Sequence, residues 1–294
     1  MKLAAIDIGS NAARLLISEV NETESQRPTF TKLNLIRVPL RLGFDVFETG
    51  AISSKRESML LQTMKAFNYI LKVYDVRLLK ACATSAMRDA ANTPEIIEKV
   101  KLQTGIKIEV ISGDKEAAVI YENHIAENMD KEHAYVYIDV GGGSTEVTFF
   151  ADGKLRYKES YNIGTIRLLK NMVEEEQWNV MRDKVKANLK SKFPVVAIGS
   201  GGNINKVFSL SKRKDGKPLT LELLKDYYKE LSSFTLEERI RIYKLKDDRA
   251  DVIVPALRIY VNIMRWSEIE EIYVPKIGLA DGLIQNLYEE IKMK

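Results

Sequence analysis

The chain has 294 residues, 45% of them apolar and 29% charged, with 45 Lys and Arg against 41 Asp and Glu for a net charge of +4. These proportions exclude a disordered or collagen-like chain and leave apolar material for two cores, the number of domains that the length predicts. Charges of both signs are mixed along the sequence and no stretch reaches the roughly 18 apolar residues of a membrane span, so neither nucleic acid nor membrane is expected as a partner.

The first segment, Leu3 to Val20, is apolar around Asp7-Ile-Gly-Ser-Asn11 and reads as strand, tight loop, strand. Residues 30 to 40 read as a further strand. Ser53 to Val73 has helical spacing, with Met59, Leu60, Met64, Phe67, Ile70 and Leu71 on one side. Val76 to Ala83 reads as a buried strand ending in Thr84-Ser-Ala-Met-Arg-Asp89. A helix follows, with Thr93 as its cap and Pro94 at its first position. Ile106 to Ile111 is predicted as a strand, after which Ser112-Gly113-Asp114 caps a helix running through Ala117, Ile120, Tyr121 and Ile125.

The polar stretch Glu127 to His133 marks a domain boundary, giving domains 1–125 and 126–294, with the last helix packing back on the first domain. Beyond it the opening pattern returns. Ile138-Asp-Val-Gly141 repeats Ile6-Asp-Ile-Gly9 at a distance of 132 residues, each in an apolar strand followed by a glycine loop and a second alternating run. The repeat predicts an α/β protein of two similarly built halves facing a central cleft. Pro194 to Ile198 reads as a short strand, followed by Gly199-Ser-Gly-Gly-Asn203 and a helix from about Ile204. Helical patterns continue from Leu221 to the end, apart from a strand at Ile272 to Val274. The basic cluster Ser211 to Pro218 is a solvated turn.

Glycine loops let backbone N–H groups approach an anion with no Cβ in the way. The loops at Gly9-Ser10-Asn11 and Gly141-Gly142-Gly143-Ser144 fit that role. Asp7 and Asp139, each at a strand end two residues before its loop, suit Mg²⁺ while the loop takes phosphate oxygens. Neither loop is a Walker motif or a dinucleotide fingerprint. Gly199 to Asn203 forms a strand–glycine–helix junction, with Gly201 in the turn and Lys206 one turn into the helix. It reads as an anion site or a plain turn. Glu116, in a first helical turn, is either a proton acceptor or an acidic cap. Arg88 and Arg167 either fork onto phosphate or pair locally. The lone Cys82 lacks a base partner and reads as packing. With an opening Met-Lys-Leu-Ala-Ala-Ile-Asp7 in place of a leader, it predicts a cytoplasmic protein. His124 and His133 have no partners at zinc-ligand spacing.

These motifs carry a resemblance. Ala5-Ile-Asp-Ile-Gly-Ser-Asn11, Ala83-Thr-Ser-Ala-Met-Arg-Asp-Ala90, Ile108-Glu-Val-Ile-Ser-Gly-Asp-Lys-Glu-Ala117, Ile138-Asp-Val-Gly-Gly-Gly-Ser-Thr-Glu146 and Ala197-Ile-Gly-Ser-Gly-Gly-Asn203 stand in the order found in the exopolyphosphatase/guanosine-pentaphosphate phosphatase family. The chain resembles that family over nearly its whole length, with Arg249 to Pro255 and Gly278 to Leu283 matching more weakly. The resemblance implies duplicated domains of the actin-like, ribonuclease H-like and sugar-kinase superfold. It implies Mg²⁺- or Mn²⁺-dependent release of the terminal phosphate of inorganic polyphosphate, or of the 5′ γ-phosphate of guanosine pentaphosphate. Glu116 matches the family's catalytic glutamate. Asp139 and Glu146 match its metal carboxylates, with Asp7 as a further candidate. Ser10, Asn11, Arg88, Gly142, Gly143 and Ser144 fall where the family grips terminal phosphate. A homodimer follows from the resemblance alone.

The chain departs from the family pattern at Ala12, Ala118 and Ala280-Asp281. It ends at Lys294, where many members continue into a helical module, so processive action on long polymer is not carried over. Two readings of other classes stand beside the hydrolase: an actin-like ATP-binding kinase or ATPase, and a non-catalytic polyphosphate binder.

Overall fold

A computed structural model describes residues 1–23, 26–113, 115–116, 118–119, 132–275 and 278–293. The chain divides into two compact units, Met1–Asn123 with Gly278–Lys294, and His124–Ile277. The predicted boundary at residue 125 lies outside the described residues.

In the first unit, strands β1 (Lys2–Ile8), β2 (Ala13–Thr23) and β3 (Gln26–Val38) form an antiparallel meander, and β4 (Leu78–Ala83) and β5 (Ile108–Val110) extend it parallel to β1 in the order β3-β2-β1-β4-β5. Central β1 is buried along Leu3–Ile8, which explains its continuous apolar run. Helices α1 (Leu42–Thr49) and α2 (Ser54–Val73) connect β3 to β4, and α3 (Ser85–Asp89) and α4 (Thr93–Thr104) connect β4 to β5. Helix α2 starts where the Ser53 side chain accepts from the Arg56 N–H, and it buries Leu60, Met64, Phe67 and Leu71 as its spacing predicts. The cap of α4 is Asn92, one residue before the predicted Thr93. Thr93 Oγ1 is instead buried and donates to the Met87 carbonyl at 2.5 Å.

In the second unit, β6 (Ala134–Val140), β7 (Thr145–Ala151) and β8 (Lys154–Tyr161) repeat the meander, with β9 (Val195–Ser200) and β11 (Glu271–Tyr273) parallel to β6 and β10 (Leu219–Thr220) at the edge. Helices α5 (Thr165–Leu169) and α6 (Glu175–Asn188) lie between β8 and β9. Helices α7 (Gly202–Leu210), α8 (Leu221–Ser233), α9 (Leu236–Tyr243), α10 (Asp247–Ala250) and α11 (Ile253–Trp266) follow. The duplication seen in the sequence is thus a duplication of topology. Its 132-residue spacing also holds through the hairpins. Ile6, Asp7 and Ile8 face Leu15, Arg14 and Ala13, while Ile138, Asp139 and Val140 face Val147, Glu146 and Thr145.

The last helix, α12 (Leu279–Lys292), belongs to the first unit. It buries Leu279, Leu283, Ile284 and Leu287 in a cluster with Leu3, Ala5, Leu16, Val20 and Cys82. Leu283 is 1% exposed. Leu283→Ala is therefore expected to cost about 2–5 kcal/mol, read as a lowered urea midpoint. An unchanged midpoint would show that α12 adds nothing to that core.

Candidate functional site

In the first unit the predicted residues gather at the C-terminal ends of the parallel strands β1, β4 and β5, where open α/β sheets present ligand loops. Asp7, 5% exposed, faces Arg14 across the β1–β2 hairpin, and Arg14 Nη1 donates to its Oδ2 at 3.1 Å. Burial raises its carboxyl above the usual range, and the Arg14 charge and hydrogen bond oppose that rise. In the loop that follows, the Gly9 N–H closes on the Ala12 carbonyl at 3.0 Å. The Ser10 and Asn11 carbonyls accept from the Gly43 and Arg41 N–H groups of the α1 start at 2.9 and 2.8 Å. A trans peptide sets its N–H opposite its C=O. The N–H groups of Asn11 and Ala12 therefore point away from α1.

Helix α3 ties the rest together. Ser85 Oγ lies 2.7 Å from Ser10 Oγ, and Arg88 Nη1 donates to the Ile111 carbonyl at 3.1 Å. The Ile111 N–H bonds the Ala83 carbonyl at 2.9 Å, fixing the segment that carries Glu116. Ser112 caps that segment as predicted. Its Oγ accepts from the Lys115 N–H at 3.2 Å and its carbonyl from the Glu116 N–H at 2.9 Å. Glu116 is half-buried. Asp114, Ala117, Ile120, Tyr121 and Ile125 of the predicted helix lie outside the described residues.

The second unit repeats this construction with different charges. The Gly141 N–H closes on the Ser144 carbonyl at 2.9 Å, the counterpart of Gly9 and Ala12. The carbonyls of Gly141, Gly142 and Gly143 accept from the Thr165 N–H (3.0 Å), the Ile166 N–H (2.8 Å) and Arg167 Nε (2.8 Å). All three carbonyls thus face α5. The N–H groups of Gly142, Gly143 and Ser144 consequently point the other way, as a nest of three successive donors suited to an anion. Arg167 acts here on the loop backbone.

Strand register sets Ser160, Glu146, Asp139 and Ser200 in one row across β8, β7, β6 and β9. The matching row of the first unit is Arg37, Arg14, Asp7 and Cys82. One duplicated row is cationic around its Asp, and the other sets two carboxylates opposite each other and holds no Lys or Arg. Facing like charges oppose pairing unless a counter-charge is present. Glu146 is 4% exposed, and its Oε1 accepts from Ser144 Oγ at 2.6 Å and Ser160 Oγ at 2.9 Å.

Asp139 is enclosed from the β9 side. Gly201 has φ +110°, and a Cβ there would lie 3.1 Å from Asp139 Oδ1. The Tyr260 hydroxyl donates to the Ser200 carbonyl, and burial together with the Asp139 charge raises the phenol well above its usual range. Arg249 donates to the Gly202 carbonyl at the start of α7, with half-buried Lys206 one turn on.

Among the described residues no group of three or more His, Cys, Asp or Glu forms a metal cage. Asp139 and Glu146 fit a different arrangement. Mg²⁺ is commonly held by one or two carboxylates and completes its shell with water and phosphate oxygens. Asp7, bonded to Arg14, is engaged in an ion pair within its own unit.

The sequence reading missed Arg14 beside Asp7, Arg37 opposite Arg14, Ser160 beside Glu146, Gly164 and Tyr260. Only strand register or tertiary contact marks them.

The Ppx/GppA phosphatase family model matches residues 17–290. The bifunctional 3-dehydroquinate synthase/phosphatase of Fusobacterium nucleatum is 31% identical, over 99% of this chain and 47% of that protein. Exopolyphosphatase 1 of Mycobacterium bovis is 24% identical, over 97% and 87%. The guanosine-5'-triphosphate,3'-diphosphate pyrophosphatase of Vibrio parahaemolyticus is 25% identical, over 98% and 60%. The chain thus spans about half the length of the first of these. The crystal structure of the Aquifex aeolicus Ppx/GppA family member superposes with a TM-score of 0.76 at 27% identity, over 99% of this chain and 98% of that one. Motifs, duplicated two-sheet topology and a family match over most of the sequence agree: the chain belongs to the Ppx/GppA phosphatase family.

Proposed function

We propose that this chain is a cytoplasmic exopolyphosphatase that releases the terminal phosphate of inorganic polyphosphate with Mg²⁺ or Mn²⁺. The observation that carries the reading is the facing pair of half-buried Asp139 and buried Glu146 beside the outward N–H groups of Gly142, Gly143 and Ser144. One element attracts a divalent cation and the other accepts phosphate oxygens, and a metal–phosphate complex needs both. Asp139 and Glu146 would hold the cation, which when bound offsets the charge of the phosphate oxygens.

The chain's own groups then divide the work. Gly142, Gly143 and Ser144 bind non-bridging oxygens. Ser10, Asn11, Arg88, Gly201 and Lys206 are the further candidate phosphate donors. Glu116 orients a water and takes its proton as the water oxygen bonds the terminal phosphorus. The bridging P–O bond breaks and its electron pair stays with the shortened chain. Catalysis here is chiefly positioning and electrostatics.

Phosphate release from long-chain polyphosphate, with Mg²⁺ or with EDTA, tests this, with guanosine pentaphosphate and ATP alongside. Mg²⁺-dependent release that is fastest from polyphosphate is expected. Fastest release from guanosine pentaphosphate would move the assignment to the substrate in the Vibrio relative's name. No release from any of the three would overturn the hydrolase reading.

A further inference from the structure

We propose that Ser160 is a positioning residue that aims the Glu146 carboxylate. The inference rests on Glu146 being a metal carboxylate, as proposed above. Ser160 stands on β8 directly opposite Glu146, which stands opposite Asp139 on β6, so the three side chains lie on one face of the sheet. Two hydroxyls converge on a single oxygen of Glu146, from Ser144 at 2.6 Å and Ser160 at 2.9 Å, both on Oε1.

Two donors on one carboxylate oxygen fix the plane of the group. Ser144 reaches Glu146 from two residues away on the same hairpin, whereas Ser160 reaches it from the neighbouring strand. Together they brace the carboxylate from two sides. A carboxylate otherwise rotates about its last bond over a broad range. Bracing therefore removes freedom that cation binding would have to remove. Hydroxyl partners of metal carboxylates commonly tune affinity in this way.

The first unit supports the assignment by contrast. Its residue opposite Arg14 on β3 is Arg37, so the position was not inherited as serine in both copies of the duplicated hairpin. The hydroxyl occurs in the copy that carries the second carboxylate. Ser160 itself is exposed, so removing its hydroxyl leaves no cavity in the core.

The test is a titration of Mn²⁺ into the whole protein without substrate, with free Mn²⁺ counted by electron paramagnetic resonance. Ser160→Ala is expected to weaken Mn²⁺ binding about tenfold. Ser160→Thr, which keeps the hydroxyl, should restore it to within about twofold. In activity assays the Mg²⁺ concentration for half-maximal rate should rise by the same factor, with a smaller change in KM for polyphosphate. In a Glu146→Gln background, Ser160→Ala should add nothing, because its effect passes through the carboxylate. If Glu146→Gln weakens Mn²⁺ binding and Ser160→Ala does not, this proposal fails and the metal assignment stands. If Ser160→Ala weakens binding equally in the Glu146→Gln background, Ser160 does not act through Glu146 and the proposal is likewise overturned. If Glu146→Gln leaves Mn²⁺ binding unchanged, both readings fall.

Discussion

Glu116→Gln is expected to lower kcat for phosphate release about 10²- to 10⁴-fold, the span that general-base groups contribute, while KM for polyphosphate moves less than about threefold. Glutamine keeps the size of the side chain and a carbonyl oxygen that can accept from water, but it cannot take the proton. The backbone that carries residue 116 is fixed independently of the side chain, through the Ile111 N–H on Ala83, Arg88 on the Ile111 carbonyl and the Ser112 cap. The substitution should therefore change chemistry and leave the fold and the phosphate donors in place. Steady-state kinetics and direct polyphosphate binding decide it. Wild-type turnover in the variant would remove Glu116 from the mechanism, and loss of binding together with turnover would make it a substrate contact.

The alternation and apolar runs of Leu3–Val20 and Tyr135–Phe150 made both hairpins legible from sequence, because a strand's burial is written in neighbouring residues. Their common spacing made the duplication legible as well. The short helices that turn each glycine loop were not. Helix α5 has five residues and no side-chain cap, and α1 starts at Arg41 with φ 55°, a left-handed conformation that no local pattern announces. Both owe their place to loop carbonyls far away in the chain. The charge contrast between the two hairpins was hidden for the same reason. Arg14 and Glu146 are visible as residues, but their facing Asp7 and Asp139 is a property of register. Glu116 differs again, since its first-turn placement suits an acidic cap as well as a base, and the family resemblance singled it out.

Gly164→Ala should show how far activity depends on that long-range support. Gly164 has φ −131°, an extended backbone open to any residue, so conformational preference is not at issue. The obstacle is contact. A Cβ would lie 2.4 Å from the Gly142 oxygen and 2.4 Å from the Gly143 carbonyl carbon. Both are backbone atoms with no side-chain rotation to relieve them. Either the loop moves off α5, stretching the Thr165 and Ile166 bonds to the Gly141 and Gly142 carbonyls, or α5 moves with its own contacts. Each route turns the donors of Gly142, Gly143 and Ser144. A displacement of about 1 Å is enough to cost about 10²-fold in kcat/KM, and overpacking of this kind costs about 1–3 kcal/mol of stability. Gly278→Ala is the matched control, because a Cβ there meets nothing within 4 Å and the backbone is again extended. It should leave both quantities near wild type. Paired kinetics and thermal unfolding separate the cases. A Gly164→Ala protein that melts slightly lower and loses about 10²-fold in activity places the phosphate donors on this loop. One that melts lower but keeps full activity would show that turnover does not depend on where these three N–H groups point.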